Sequence, residues 1–156
     1  MHTKRKPIVI LLAEDDPDDQ LMVKEALEEN LIINNFYIVE DGVELMDYLK
    51  NKGKYSNPAS APRPGIILLD LNMPRKDGRE ALQEIKEDPD LCTIPVIVLT
   101  TSKVEEDILR TYNIGASSFI TKPVSFEGLV EVMKILKKYW FEIVELPGNK
   151  KGFLIS

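Results

Sequence analysis

The stretch IVILLAEDDP, residues 8–17, is an unbroken apolar run that stops at three carboxylates and a proline. A run this short and this sharply bounded is typical of a strand buried on both faces of a parallel sheet. Asp16 stands where a helix N-cap is expected, and Pro17 stands at the first helical position. The stretch therefore predicts a buried strand that leads directly into a helix, with Glu14 and Asp15 at the carboxyl end of the strand.

The same alternation of strand and helix occurs five times along the chain. Predicted strands cover residues 8–13, 36–39, 66–69, 95–99 and 117–121. Predicted helices begin near residues 16, 41, 77, 102 and 125, and the last three end near residues 87, 113 and 140. The stretch 53–65, rich in proline and serine, is predicted to be a loop. Because each parallel crossover needs a helix and is right-handed, the order predicts one doubly wound α/β domain with a five-stranded parallel sheet.

The composition limits the classes of function. The chain has 156 residues, of which 44% are hydrophobic, and a net charge of −6, so binding to nucleic acid or to an anionic membrane surface is not expected. No segment approaches the roughly 20 apolar residues of a membrane span. The single cysteine, Cys92, excludes an internal disulfide and fits a reducing compartment. We therefore expect a cytoplasmic protein whose partner is a protein, a cation or both.

Polar residues follow the ends of four predicted strands: Glu14 and Asp15, Asp70, Thr100, and Lys122. In open α/β sheets, ligand sites lie beyond the carboxyl ends of the strands. Two carboxylates about 5 Å apart, at an effective dielectric constant of about 20, repel each other by on the order of 3 kcal/mol, so a cation is expected nearby. Mg²⁺ characteristically takes one or two carboxylates and keeps waters. The pattern predicts a Mg²⁺ site formed by Asp15 and Asp70, with Glu14 acting through water.

A cation beside a carboxylate suits phosphoryl transfer, because aspartate is a covalent acceptor and the reaction needs mainly positioning and charge. Asp70 is the expected acceptor, since its strand lies between the other acids and the side that carries Thr100 and Lys122. Mg²⁺, the Lys122 ammonium and the Thr100 hydroxyl would divide the phosphoryl oxygens. The only histidine, His2, lies in the N-terminal tail. A phosphohistidine donor would therefore belong to another protein.

Four motifs resemble the receiver domain of two-component response regulators. They are Glu14-Asp15, LLDLNMPRKDG at residues 68–78, LTTS at residues 99–102, and Thr121-Lys122-Pro123. The resemblance covers about residues 7–140. It implies a flavodoxin-like (βα)5 fold with strand order 2-1-3-4-5.

The resemblance also implies roles for individual residues. Asp70 is the phosphoacceptor, and the main-chain carbonyl of Asn72 joins the carboxylates as a Mg²⁺ ligand. Thr100 and Phe119 form the switch that responds to phosphorylation. The donor is a histidine kinase. The chain is then a signalling protein rather than an enzyme, although it catalyses its own phosphorylation and dephosphorylation.

Further features resemble the phytochrome-associated single-domain regulators: the long loop before the third strand, residues 77–80, and the Trp140 region followed by Leu146-Pro147. They imply a kinase of phytochrome type. The expected organisation of the chain is a flexible N-terminus at 1–6, a receiver domain at 7–140, and a C-terminal extension at 141–156 without a separate effector domain. The extension either packs on its own domain or contacts a second copy of the chain or another partner. A homodimer through it, or through the face of the predicted fourth and fifth helices, stays open.

Three alternative functions fit these residues less well. A phosphatase with an aspartyl nucleophile, of the haloacid dehalogenase type, needs a second aspartate where this chain has Asn72. A binding module of flavodoxin type needs a phosphate loop rich in serine, threonine and glycine after the first strand, where this chain has carboxylates that would repel phosphate. A receiver used as a constitutive scaffold would not need the complete set of acceptor residues that is present here.

Overall fold

The computed structural model describes residues 9–30, 35–100, 118–121 and 125–139. The strands are β1 (Ile10–Ala13), β2 (Phe36–Val39), β3 (Ile66–Asp70), β4 (Val96–Thr100) and β5 (Ser118–Thr121). The helices are α1 (Pro17–Glu29), α2 (Gly42–Lys50), α3 (Gly78–Glu87) and a C-terminal helix (Phe126–Tyr139), which is the predicted fifth helix. The predicted fourth helix at 102–113, Lys122, residues 1–6 and the extension at 141–156 lie outside the described residues.

The five strands form one parallel sheet in the order β2-β1-β3-β4-β5, which matches the predicted order. The first strand begins at Ile10, two residues later than predicted. In the register of the sheet, Ala13 pairs with Leu69, and Asp70 pairs with Leu99. This register aligns the carboxyl ends of β1, β3 and β4 along one edge.

Helices cover both faces of the sheet. Leu11 and Ala13 of β1 point into a core shared with α2 and α3, whereas Ile10 and Leu12 point into a core shared with α1 and the C-terminal helix. This alternation is the two-residue period of a strand that is buried on both sides. The sheet is therefore doubly wound, as the apolar runs predicted. Among the described helices, none is long and apolar enough to cross a membrane.

Carboxylate side chains cap the starts of α1, α2 and α3. The Asp16 side chain accepts a hydrogen bond from the Asp18 amide at 2.8 Å, and Asp77 with Glu80 forms the reciprocal capping box at the start of α3. Asp41 caps α2 by accepting from the Glu44 amide at 2.7 Å. The start of α2 differs from a full capping box, because the Glu44 carboxylate accepts from the main-chain amide of Glu40, the residue before the cap.

The long loop before β3 is more ordered than predicted, since it contains two 3-10 turns, Gly53–Tyr55 and Pro58–Ser60. The Tyr48 hydroxyl donates to the carbonyl oxygen of Pro62 at 2.8 Å. The Tyr48 and Tyr55 rings lie 5.2 Å apart between centroids. The loop therefore packs onto α2 through aromatic side chains. Its proline and serine residues alone did not indicate this packing.

Candidate functional site

Three acidic side chains meet at the carboxyl edge of the sheet. One carboxylate oxygen from each of Glu14, Asp15 and Asp70 lies within 4.8 Å of the others. Glu14 is 1% exposed and Asp70 is 2% exposed, whereas Asp15 faces solvent. Buried carboxylates this close together require compensating positive charge or hydrogen-bond donors. The structure thus brings together the three acids that the sequence predicted to meet.

The local backbone fixes Glu14. Its amide donates to the Val39 carbonyl at 2.9 Å, which continues the pairing of β1 with β2. Its carbonyl oxygen accepts from Gln20 Nε2 at 2.6 Å, and its Oε2 accepts from the Asp16 amide at 3.2 Å. Glu14 is therefore held at both its main chain and its side chain, while Asp16 also serves the start of α1.

Asp70 is held by the turn that follows it. The Leu71 amide donates to the Leu99 carbonyl at 3.1 Å, and the Gly78 amide donates to the Leu71 carbonyl at 2.9 Å. The Asn72 amide donates to Asp70 Oδ1 at 3.1 Å. These bonds bring the start of α3 against the end of β3 and point a backbone donor at the Asp70 carboxylate.

Two residues that the sequence reasoning missed support this geometry. Gln20 Nε2 bridges the Glu14 carbonyl and, at 3.3 Å, the carboxylate of Glu40. A Cβ added at Gly78 would lie 2.3 Å from the Asp70 carbonyl oxygen, so only glycine permits this approach of α3. Gly78 could have been found from the Asp-Gly pair at a helix start. Gln20 carries no such local signal, because its partners come from two different loops.

The donor set fits a hard divalent cation. Carboxylate oxygens are the ligands that Mg²⁺ and Mn²⁺ prefer, and the three acids offer them without any nitrogen or sulfur ligand. Because Asp15 is exposed, solvent can reach the cluster, while the buried side chains of Glu14 and Asp70 hold its inner side in place. The arrangement can therefore hold a cation beside Asp70. That cation would offset the negative charge of an incoming phosphoryl group.

The remaining predicted residues are placed only in part. The backbone of Thr100 ends β4 and pairs with Thr121 of β5, so it lies at the same edge as Asp70. Phe119 lies in β5, paired with Val98. The side chains of Thr100 and Phe119, and all of Lys122, fall outside the described part of the structure. Their roles stay predictions.

Comparison with known proteins places the chain among signalling proteins. The response regulator receiver domain matches residues 10–134. Response regulator Rcp1 from Synechocystis sp. is 43% identical over 141 residues, covering 90% of this chain and 94% of Rcp1. The crystal structure of the phosphorylated cyanobacterial phytochrome response regulator RcpA is 41% identical with a TM-score of 0.78, covering 92% of this chain and 100% of RcpA.

A second solved structure, the Mn²⁺-bound form of Rcp1, is 43% identical to this chain with a TM-score of 0.76, over 91% of this chain and 100% of that one. The TM-scores show that this chain shares the fold of both solved structures. The chain therefore belongs to the response regulator receiver domain family, whose function is phosphorylation-dependent signalling.

Proposed function

We propose that this chain is a single-domain response regulator that accepts a phosphoryl group on Asp70 from a histidine kinase, in a Mg²⁺-dependent reaction. The observation that carries the proposal is the buried Asp70 carboxylate at the end of β3, with carboxylate oxygens of Glu14 and Asp15 within 4.8 Å. A single buried aspartate would not by itself indicate a site. An aspartate beside two further acids is suited to bind a cation and to accept a phosphoryl group.

In the proposed reaction, an Asp70 carboxylate oxygen attacks the phosphorus of a kinase phosphohistidine. The new bond joins that oxygen to phosphorus, the bond between phosphorus and the imidazole nitrogen breaks, and the histidine leaves. The main-chain N–H of Asn72 donates to Asp70 Oδ1 at 3.1 Å and fixes the orientation of the carboxylate. Water later attacks the phosphorus, the bond from phosphorus to the Asp70 oxygen breaks, and inorganic phosphate leaves, which returns Asp70 to its carboxylate form. The chain thus supplies the acceptor and its positioning for both steps.

The metal ligands proposed are Asp15, Asp70 and the main-chain carbonyl of Asn72, with Glu14 acting through water. When bound, Mg²⁺ supplies positive charge to phosphoryl oxygens and offsets the carboxylates. The solved Mn²⁺-bound form of Rcp1, which is 43% identical to this chain, supports binding of a divalent cation. We propose further that Lys122 and Thr100 contact the phosphoryl oxygens.

Signalling is proposed to follow from the added charge at Asp70, about −1.5 to −2, which changes the positions of Thr100 and Phe119 and so the surface of the domain. The proposed kinase is of phytochrome type, because RcpA is named as a phytochrome response regulator. The proposed location is the cytoplasm.

A homodimer contact is proposed on the face of the predicted fourth and fifth helices or on the extension at 141–156. The exposure of Ile135 on the C-terminal helix, 64%, favours the face of the helices.

The test is phosphorylation by acetyl phosphate with and without Mg²⁺, read by intact-mass spectrometry. The wild-type chain is expected to gain one phosphoryl group only with Mg²⁺, and Asp70→Asn is expected to gain none. Asp16→Asn is the matched control, because it removes a neighbouring carboxylate while the amide oxygen can still cap α1.

Equal labelling of Asp70→Asn at that position would disprove the assignment. Absence of labelling in the folded wild-type chain, from acetyl phosphate and from a histidine kinase alike, would favour the constitutive scaffold. The phosphatase alternative is disfavoured because Asn72, two residues after Asp70, has no acidic proton to transfer.

A further inference from the structure

The loop that follows Asp70 is fastened to the start of α2. The Gly42 amide donates to the Lys76 carbonyl at 2.9 Å. A Cβ at Gly42 would lie 2.1 Å from that carbonyl oxygen, so the two backbones touch. Beside this contact, Arg75 Nη1 lies 3.2 Å from Asp41 Oδ2. Two independent bonds therefore tie the loop of residues 71–77 to α2.

Asp41 uses both of its carboxylate oxygens. Oδ1 accepts from the Glu44 amide at 2.7 Å and caps α2, while Oδ2 faces the Arg75 guanidinium. Asp41 is buried, with 8% of its surface exposed, so its orientation is fixed by these contacts. The guanidinium of Arg75 is thus attached to a rigid anchor rather than to a mobile surface carboxylate.

Arg75 also adopts an unusual backbone conformation. Its φ is 66°, in the left-handed region that residues with a side chain disfavour. The turn at Arg75 lies three residues after Asn72. It leads the chain from the edge that carries the acidic cluster to the start of α3. Because glycine or asparagine would adopt this conformation more easily, the arginine at this position calls for a compensating contact, and the ion pair with Asp41 supplies one.

We propose that the Arg75–Asp41 ion pair positions the loop after Asp70 so that the Asn72 main-chain carbonyl is available to the metal. This inference rests on the proposed function, which assigns that carbonyl as a ligand. Arg75 and Asp41 are positioning residues, because they act through the loop and not on the reacting atoms. The device raises Mg²⁺ affinity by reducing the conformations that the loop must give up on binding.

Isothermal titration calorimetry of the full, unphosphorylated chain tests the inference by measuring the Kd for Mg²⁺ at about 0.15 M salt. Arg75→Gln and Asp41→Asn are each expected to raise the Kd about threefold, equivalent to about 0.7 kcal/mol, and the double variant no further. The amide of Asp41→Asn can still cap α2. Through-space electrostatics predicts opposite signs instead, because loss of the arginine would favour a cation and loss of the aspartate would disfavour it. Opposite signs, or unchanged Kd values, would overturn the proposal.

Two further variants separate the remaining explanations. Lys76→Gln removes the neighbouring cation, whose partner is Glu84 on α3, and is expected to leave the Kd unchanged. Arg75→Gly relieves the backbone strain but lacks the ion pair, and is expected to weaken binding as Arg75→Gln does. If Arg75→Gly binds Mg²⁺ as tightly as wild type, strain and not the pair is responsible, and the proposal is wrong.

Urea unfolding in Mg²⁺-free buffer completes the design. A merely structural pair would lower the unfolding free energy of both variants while leaving their Mg²⁺ affinity unchanged, and that result would contradict the positioning role. If the wild-type chain itself does not bind Mg²⁺, the proposed function fails together with this inference. If the wild type binds and the variants bind equally well, the inference alone fails.

Discussion

Glu44 shows how single side chains set local charge in this fold. Its Oε1 accepts from the Glu40 amide at 2.8 Å. Its Oε2 accepts from the Tyr55 hydroxyl at 2.5 Å and lies 3.1 Å from Lys54 Nζ. Burial by itself raises the pKa of Glu44, but the bonds from Tyr55, the Glu40 amide and Lys54 outweigh it, so the pKa lies below its usual value. The carboxylate stays charged, and the proton stays on Tyr55, whose pKa burial and the bond to Glu44 raise.

The first prediction concerns the pH dependence of this carboxylate. Glu44→Gln is expected to lower the unfolding free energy by about 1–2 kcal/mol at neutral pH, because charged hydrogen bonds are lost. The folded pKa of Glu44 lies below the reference value of 4.5. The contribution is therefore fully present above that value and is lost as the pH falls through the folded pKa.

Urea unfolding of both proteins between about pH 3 and pH 7 measures this difference. The curves of wild type and Glu44→Gln should converge as the pH falls. Glu28→Gln is the control, since Glu28 is exposed on α1. A difference that stays constant or grows toward acid pH would contradict the assigned role of the charge.

At the scale of elements, the junction of β3 with α3 depends on Gly78. A Cβ there would lie 2.3 Å from the Asp70 carbonyl oxygen and 2.6 Å from the Leu71 Cα, both backbone atoms that cannot rotate away. Gly78→Ala is therefore expected to lower the unfolding free energy by about 2–3 kcal/mol, by forcing α3 away from the end of β3. Denaturant unfolding checks this change.

The control for that substitution is Gln83→Ala, which places the same residue on an exposed position of α3. It is expected to change the unfolding free energy by no more than about 0.5 kcal/mol, as surface substitutions usually do. Equal stabilities of the Gly78→Ala and Gln83→Ala proteins would show that the contact of α3 with β3 yields without cost.

The elements that could be predicted from the sequence are those with local causes. β3 is a short apolar run between turn residues, and Asp77 with Glu80 is a capping pair that needs no distant partner. The 3-10 turns of the loop before β3 could not be predicted in this way. Tyr55 of the first turn packs against Tyr48 of α2, whose hydroxyl donates to the Pro62 carbonyl further along the loop, and such contacts between a loop and a helix are decided by tertiary structure.

At the scale of the whole molecule, topology assembles the site. Asp15 and Asp70 lie far apart in the sequence, yet they meet because β1 and β3 are neighbours in the sheet. Their meeting could be predicted, since the carboxyl ends of parallel strands share one edge. The pairing of Asp41 with Arg75 could not, because it depends on how two loops approach each other. The bridge from Gln20 to Glu14 and Glu40 has the same origin.

This assembly implies that the acidic edge favours function at the expense of stability. Asp15 is exposed and lies beside two buried carboxylates, so removing its charge should relieve repulsion. In Mg²⁺-free buffer, Asp15→Asn is expected to raise the unfolding free energy by about 0.5 kcal/mol, a small value because solvent screens an exposed charge.

Addition of Mg²⁺ should reverse the order of the two proteins. At a Mg²⁺ concentration ten times the wild-type Kd, binding adds about 1.4 kcal/mol to the unfolding free energy of the wild type, whereas Asp15→Asn, which lacks a ligand, gains much less. Asp18→Asn, an exposed acid of the same run at the start of α1, is the control and should respond to Mg²⁺ as the wild type does. Urea unfolding of the three proteins with EDTA and with Mg²⁺ provides the measurement. If Asp15→Asn is less stable than the wild type with EDTA, the argument from repulsion is wrong, and if it gains as much stability from Mg²⁺ as the wild type does, Asp15 is not a ligand of the metal.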